Sequence, residues 1–229
     1  MRKPRIFVLA LCLLFALLPA LADKGGYSID QFSVDLEVHP DSSLTVTERL
    51  TVLFSEPRHG IYRSIPVRYT DPKGFQYGIG FELLGVTAED GSRFGTKVSK
   101  EGAYVSIRIG SPSTKVKGRV VYLVRYRITD ALRHFAEHDE LYWNATGTEW
   151  KAGIRNATAT VRLPGTVEQD DLQLAGYTGR FGSNEQAVSI KRLDDGAILF
   201  AATRPFGPQE GLTVAVGWPH GLVKFPGPV

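Results

Sequence analysis

From Phe32 to Trp218 the apolar residues of this chain recur at every second position, in one short run after another. That period constrains the fold more than any other feature. Phe32, Val34, Leu36 and Val38 alternate with Ser33, Asp35 and Glu37. Successive strand residues point to opposite faces, so such a run is a strand with one face buried and one wet. After the turn residues His39, Pro40, Asp41, Ser42 and Ser43, the alternation resumes at Leu44, Val46, Leu50, Val52 and Phe54, and the two runs read as an opening hairpin.

The rest of the chain repeats the device. Ile61, Ile65 and Val67 form a short strand that Pro66 pushes toward a sheet edge. Ile79, Phe81 and Leu83 come next, then Val86 to Phe94 with a turn at Asp90 and Gly91, then Val105, Ile107 and Ile109. Residues 120–128 are the most β-branched and aromatic stretch, which predicts a central strand. Further strands are predicted at 154–163, 187–192, 197–203 and 212–218, and one short helix at 130–139. Short strands separated by Gly, Pro and Asp turns predict an all-β fold, an antiparallel β-sandwich of immunoglobulin-like or jelly-roll-like type. The Gly-, Gln- and Asp-rich stretch 165–184 is either a long loop or a seam between two sub-sandwiches.

The N-terminus follows different rules. Arg2, Lys3 and Arg5 precede an apolar run from Ile6 to Leu18, then Pro19 and small residues up to Ala22. This is the pattern of a secretory signal peptide over residues 1–22, with an apolar run well short of the ~20 residues a membrane span needs. The expected organisation is therefore a signal peptide, an exported β-sandwich domain at 23–218, and a Pro- and Gly-rich tail or linker at 219–229. Without Arg2, Lys3 and Arg5, 24 basic residues face 24 acidic ones, so the exported part is formally neutral and carries no basic footprint for nucleic acid. The single cysteine, Cys12, leaves with the signal, so the domain must rely on its core rather than on disulfides.

Several pieces occur in a distinctive order: Ser43-Leu44-Thr45-Val46-Thr47-Glu48, then Gly60-Ile61-Tyr62-Arg63-Ser64-Ile65-Pro66. Tyr122 to Tyr126 follow, then Glu140 to Asn144 with Trp150, and a closing Gly217-Trp218-Pro219. In that order they resemble the bacterial family called domain of unknown function 2207. The resemblance implies an extracytoplasmic domain followed by membrane spans and a cytoplasmic tail. It supplies no catalytic residues. Membrane attachment through such spans is expected where the native chain continues past Val229.

Phase along the strands singles out two charges. Glu48 shares a face with Val46 and Leu50, and Arg63 shares one with Ile61 and Ile65. Both are thus predicted to point inward, where an unpaired charge is very costly. We expect them to pair, with Glu140 as a second acceptor. His134, Glu137 and His138 form an H-x-x-E-H motif, which on a helix puts both imidazoles on one face, as in inverted zinc peptidases. That chemistry also needs a long helix and a downstream helical Glu, whereas Glu168, Glu185 and Glu210 lie in Gly-rich or strand-like surroundings. The expectation is therefore no metal and no other cofactor, with His134, Glu137 and His138 as the candidate ligands if one binds.

Tyr142, Trp143 and Trp150, flanked by Glu137, Asp139, Glu140 and Glu149, form the candidate interaction surface. The leading expectation is a non-enzymatic binding module at the outer side of the cytoplasmic membrane, partnered by an envelope or membrane protein or a glycan. The alternatives are an envelope-acting hydrolase, metal-dependent or carboxylate-based, and a structural domain of a larger membrane protein.

Overall fold

The computed structural model describes residues 25–70, 74 and 76–226. The predicted signal peptide lies outside the described residues. Among them, no helix is long and apolar enough to cross a membrane, and the regular structure is all β apart from one 3-10 turn at Gln169–Asp171.

The opening hairpin is present as β1 (Tyr27–Val38) and β2 (Leu44–Arg58), antiparallel throughout. Its turn closes because the Asp41 carboxylate accepts hydrogen bonds from the Ser43 amide (3.1 Å) and hydroxyl (2.5 Å), the Asx chemistry that makes such residues turn formers. A seven-stranded sheet grows from both sides of this hairpin. Beside β2 lie β9 (Val116–Thr129) and then β6 (Gly80–Thr87). Beside β1 lie β12 (Ile154–Arg162), β15 (Ile198–Ala202) and β14 (Val188–Arg192).

A second layer faces it. One part is a four-stranded sheet in the order β10 (Leu132–His134), β11 (Asp139–Asn144), β16 (Gly211–Trp218), β13 (Gln173–Gly179). The other is a three-stranded sheet in the order β3 (Gly60–Pro66), β8 (Tyr104–Gly110), β7 (Thr96–Glu101), with a small ribbon of β4 (Arg68–Thr70) and β5 (Gln76–Gly78) beside it. The inward faces of both layers, including Phe32, Val46, Leu50, Tyr122, Ile65, Ile107, Trp143 and Trp218, form one contiguous core. Each such side chain contributes about 1.5–3 kcal/mol on burial. Among the described residues, buried apolar side chains from Ile29 to Val223, Val167 included, belong to one cluster.

Three details differ from the pattern reading. The pairing of β1 with β12 is parallel. The chain passes through the second layer between them and re-enters at the same end, a crossover that parallel pairing requires. Strand β9 is paired on both sides but is next to the sheet edge rather than central. Residues 130–139 form no helix: β10 and β11 pair antiparallel across them, with the Phe135 amide bonded to the His138 carbonyl at 2.9 Å. Helical spacing within H-x-x-E-H cannot outweigh the pull of Leu132 and Leu141, which pair as strand neighbours and bury on the core side.

Strand β3 does occupy an edge, so Pro66 sits where a missing amide costs little. At its first rung the backbones of β3 and β8 nearly touch. A Cβ on Gly60, whose φ is +125°, would lie 1.9 Å from the Ile109 carbonyl oxygen, so only glycine fits there. The segment after β16 is also packed: Val223 is buried, and the Lys224 amide bonds to the Pro40 carbonyl at 2.7 Å.

Candidate functional site

The two inward charges meet across the layers. Glu48 on β2 is flanked by Val34 and Val124 in the large sheet, and Arg63 on β3 comes from the opposing one. Arg63 donates from Nε to Glu48 Oε2 (2.8 Å) and from Nη2 to Oε1 (2.7 Å), a two-pronged pairing. Two further guanidinium hydrogens go to the carbonyls of Ser64 (2.7 Å) and Ala145 (3.2 Å), while the Tyr126 hydroxyl donates to Glu48 Oε1 at 2.6 Å. Phe32 and Trp150 flank the guanidinium with ring centroids 5.7 and 5.9 Å away. Burial works against the Arg63 charge, but the adjoining Glu48 carboxylate outweighs it and the pKa is raised. Burial, then the Glu48 charge, hold the Tyr126 hydroxyl well above the ordinary phenol range. The cluster is sealed from solvent and its bonds are internal, so its role is to lock the two layers together. Glu140 is not part of it; it faces outward on β11, opposite Arg133 and Gly217.

The H-x-x-E-H residues separate. His134 ends β10, Glu137 is exposed in the hairpin turn, and His138 packs near Gly217. The cluster that does form consists of His134, Asp139 and His220. Strand register builds it: Asp139 pairs with His134 on one side and with Trp218 on the other, and His220 follows Trp218 by two residues. Asp139 is buried, with its Oδ1 2.7 Å from His134 Nδ1 and 2.9 Å from His220 Nδ1. The Nε2 of His220 faces the Ala136 carbonyl at 3.3 Å. The His220 pKa is raised by the Asp139 hydrogen bond first and the Ala136 carbonyl second. The ring of Phe225 covers His134 at 5.1 Å.

Of the predicted interaction surface, Trp143 and Trp150 are core residues. The Trp150 indole donates to the Thr146 carbonyl at 2.7 Å. Only Tyr142 is exposed, and it belongs to a row that the sequence does not reveal. Tyr69 on β4 stacks on Tyr77 of β5 at 5.3 Å. The Tyr77 hydroxyl accepts a hydrogen bond from Arg133 at 2.9 Å. Arg133 in turn lies over the Tyr142 ring at 5.6 Å, and Tyr142 leans on Tyr177 of β13 at 6.3 Å. Beside the two last rings, the outer face of the sheet is floored by the small residues Ala175 and Ala215, while Gly217 is covered by His138 and Gln173.

Fold and site together define an all-β sandwich domain whose layers are pinned by a buried ion pair and that carries a His–Asp–His cluster and a tyrosine row at its surface. The chain belongs to the family described as predicted membrane protein (DUF2207), N-terminal domain, whose profile matches residues 28–218. It is similar to the uncharacterized protein YciQ of Escherichia coli (strain K12), with 26% identity over 199 residues, 86% of this chain and 31% of the relative. The chain thus spans about a third of the length of that relative. Among solved structures, native yeast LTA4 hydrolase superposes with a TM-score of 0.51 at 13% identity, over 85% of this chain and 29% of that one. An M1 zinc metallopeptidase from Deinococcus radiodurans gives 0.44 at 14% identity, over 85% of this chain and 43% of that one. At this identity the hydrolase likeness shows the fold alone.

Proposed function

We propose that this domain is a non-enzymatic interaction module, working at the outer side of the cytoplasmic membrane, that holds a protein partner against its four-stranded sheet. The observation that carries this reading is the row Tyr69, Tyr77, Arg133, Tyr142 and Tyr177, linked one to the next across five strands. Tyrosine and arginine are the side chains that dominate binding energy in protein interfaces, because each offers a large rigid face together with a polar handle. Here they are preordered by contacts with one another, which lowers the entropy lost on docking. The floor of Ala175 and Ala215 leaves room for a partner's backbone to approach. A family of predicted membrane proteins gives such a surface a natural setting, next to other envelope proteins.

The test is site-specific photo-crosslinking in cells that express the full-length protein. A benzophenone side chain at 142 or 177 is expected to trap a discrete protein adduct. The same probe at exposed Ile190, on the other sheet, is expected to trap none, and Arg133→Ala is expected to weaken the adduct from 142. Equal adducts from 142 and 190, or no adduct from 142 and 177, would overturn the proposal. A heterodisperse, glycosidase-sensitive adduct would replace the protein partner by a glycan.

A further inference from the structure

We infer that His134, Asp139 and His220 form a binding site for one borderline divalent transition-metal cation, of which Zn2+ is the type. The three donor atoms lie within 4.8 Å of one another. Ligands at zinc sit about 2.0–2.2 Å from the ion, which separates tetrahedral donors by roughly 3.3 Å. The nitrogen-to-carboxylate separations of 2.7 and 2.9 Å need to open by only about half an ångström to admit the cation.

Register rather than chance proximity makes the arrangement. Asp139 is the middle rung of a ladder with His134 on one side and Trp218 on the other, so the carboxylate is fixed while an imidazole reaches it from each neighbour. Asp139 is 1% exposed. A carboxylate removed from water needs a cationic partner, and both rings turn the same nitrogen toward it. The outer shell fits as well. Metal-binding histidines commonly donate their second N–H to a backbone carbonyl, which fixes the tautomer and leaves the first nitrogen free to ligate. His220 faces the Ala136 carbonyl with Nε2 in this manner. Two nitrogen donors disfavour Ca2+ and Mg2+, which take oxygen ligands. With three protein ligands and the His134 side chain 60% exposed, the fourth position opens to solvent.

A cation here would fasten the segment that follows β16 to the β10–β11 hairpin. That segment already rests on the domain through Val223, the Lys224 amide and Phe225. The site would thus set the direction in which the chain leaves the sandwich.

The experiment is calorimetric titration of Zn2+ into the purified chain, carrying no polyhistidine tag and stripped with a chelator, followed by Co2+ absorption to read the donor set. One equivalent is expected to bind at micromolar or tighter affinity. His220→Gln and His134→Gln should each weaken it at least tenfold, whereas Glu137→Gln and His138→Gln should leave it unchanged. At a hundredfold excess over the dissociation constant, Zn2+ should raise the melting temperature by roughly 5–10 °C. Both histidines reach the surface, with side chains 60% and 39% exposed, so their variants remain informative even if Asp139→Asn fails to fold. Absence of saturable binding would overturn the inference. So would binding that survives His220→Gln, or binding that His138→Gln abolishes.

Discussion

Glu48 and Arg63 come from opposite layers of the sandwich, 15 positions apart in sequence, and Arg63 donates to the Glu48 carboxylate from both Nε and Nη2, with both side chains at most 2% exposed. Bringing two charges out of water is expensive, and their attraction offsets that only while both are present. Arg63→Met should therefore cost about 3–5 kcal/mol, because it strands the Glu48 carboxylate in the core. The double variant Glu48→Leu with Arg63→Met should be more stable than the single Arg63→Met, since it leaves no buried charge alone. Urea denaturation followed by circular dichroism gives both numbers. An Arg63→Met midpoint equal to wild type would show that the pair contributes nothing.

Two tyrosines on β9 face the same core and should respond oppositely to loss of the hydroxyl. Tyr126 donates to Glu48 Oε1 at 2.6 Å, a bond to a charged acceptor, so Tyr126→Phe should cost about 1.5–3 kcal/mol. The Tyr122 hydroxyl is buried with no hydrogen-bond partner among the described residues, so Tyr122→Phe should be neutral or stabilising. Burial also pushes the Tyr122 phenol up to about 12. A raised folded-state pKa means that stability is intact below the unfolded value near 10 and is lost as pH climbs toward 12. Tyr122→Phe should accordingly flatten the alkaline limb of a stability-against-pH curve. A steeper limb would contradict the assignment.

How much of this was legible beforehand follows from the range of each interaction. Period-two alternation is local, so it marks the strands, the opening hairpin and the inward phase of Glu48 and Arg63, while Pro66 marks the edge position of β3. It says nothing of which strand lies beside which. The parallel β1–β12 pair and the grouping of His134, Asp139 and His220 depend on that lateral order. The Tyr69–Tyr177 row likewise draws on five strands, β4, β5, β10, β11 and β13. The helix predicted at 130–139 gives way to Leu132 and Leu141, whose burial on either side of the turn is itself a strand signal. Trp143 was drawn to the surface by its polar neighbours, although it keeps phase with buried Leu141.

Acid should loosen the contacts around Arg204. This side chain donates from Nε to Glu185 Oε1 (3.0 Å) and from Nη1 to Glu210 Oε2 (2.8 Å), joining the loop before β14 to the turn before β16. Glu210 also accepts from the Gly207 amide at 2.8 Å. Hydrogen bonding from Arg204, the largest influence on each, holds both carboxyls below their ordinary range. A depressed folded-state pKa contributes stability above the unfolded value near 4.3, and that contribution is lost as pH falls through the folded value. Arg204→Gln should lower the melting temperature at pH 7, and its gap from wild type should shrink as pH falls below about 4. Exposure of these side chains keeps the effect modest. A gap that is unchanged or wider in acid would refute the linkage.

Gly147 makes the ion pair possible from a distance of one loop. Its φ is +76°, and a Cβ built there would lie 2.4 Å from Arg63 Nη1. An arginine head on the surface would swing away from such a contact. This one is held by Glu48, Ser64 and Ala145 at once, with Phe32 and Trp150 beside it, so the clash cannot be relieved without breaking a buried hydrogen bond. Gly147→Ala should therefore cost more than the roughly 1–2 kcal/mol of a left-handed non-glycine residue. In an Arg63→Met background the crowding disappears and only the backbone cost should remain. The two substitutions should thus be coupled by about 0.5–3 kcal/mol in a double-mutant cycle. Strict additivity would mean that Gly147 serves the turn, which its amide closes on Asn144 Oδ1 at 3.0 Å, and has no part in seating Arg63.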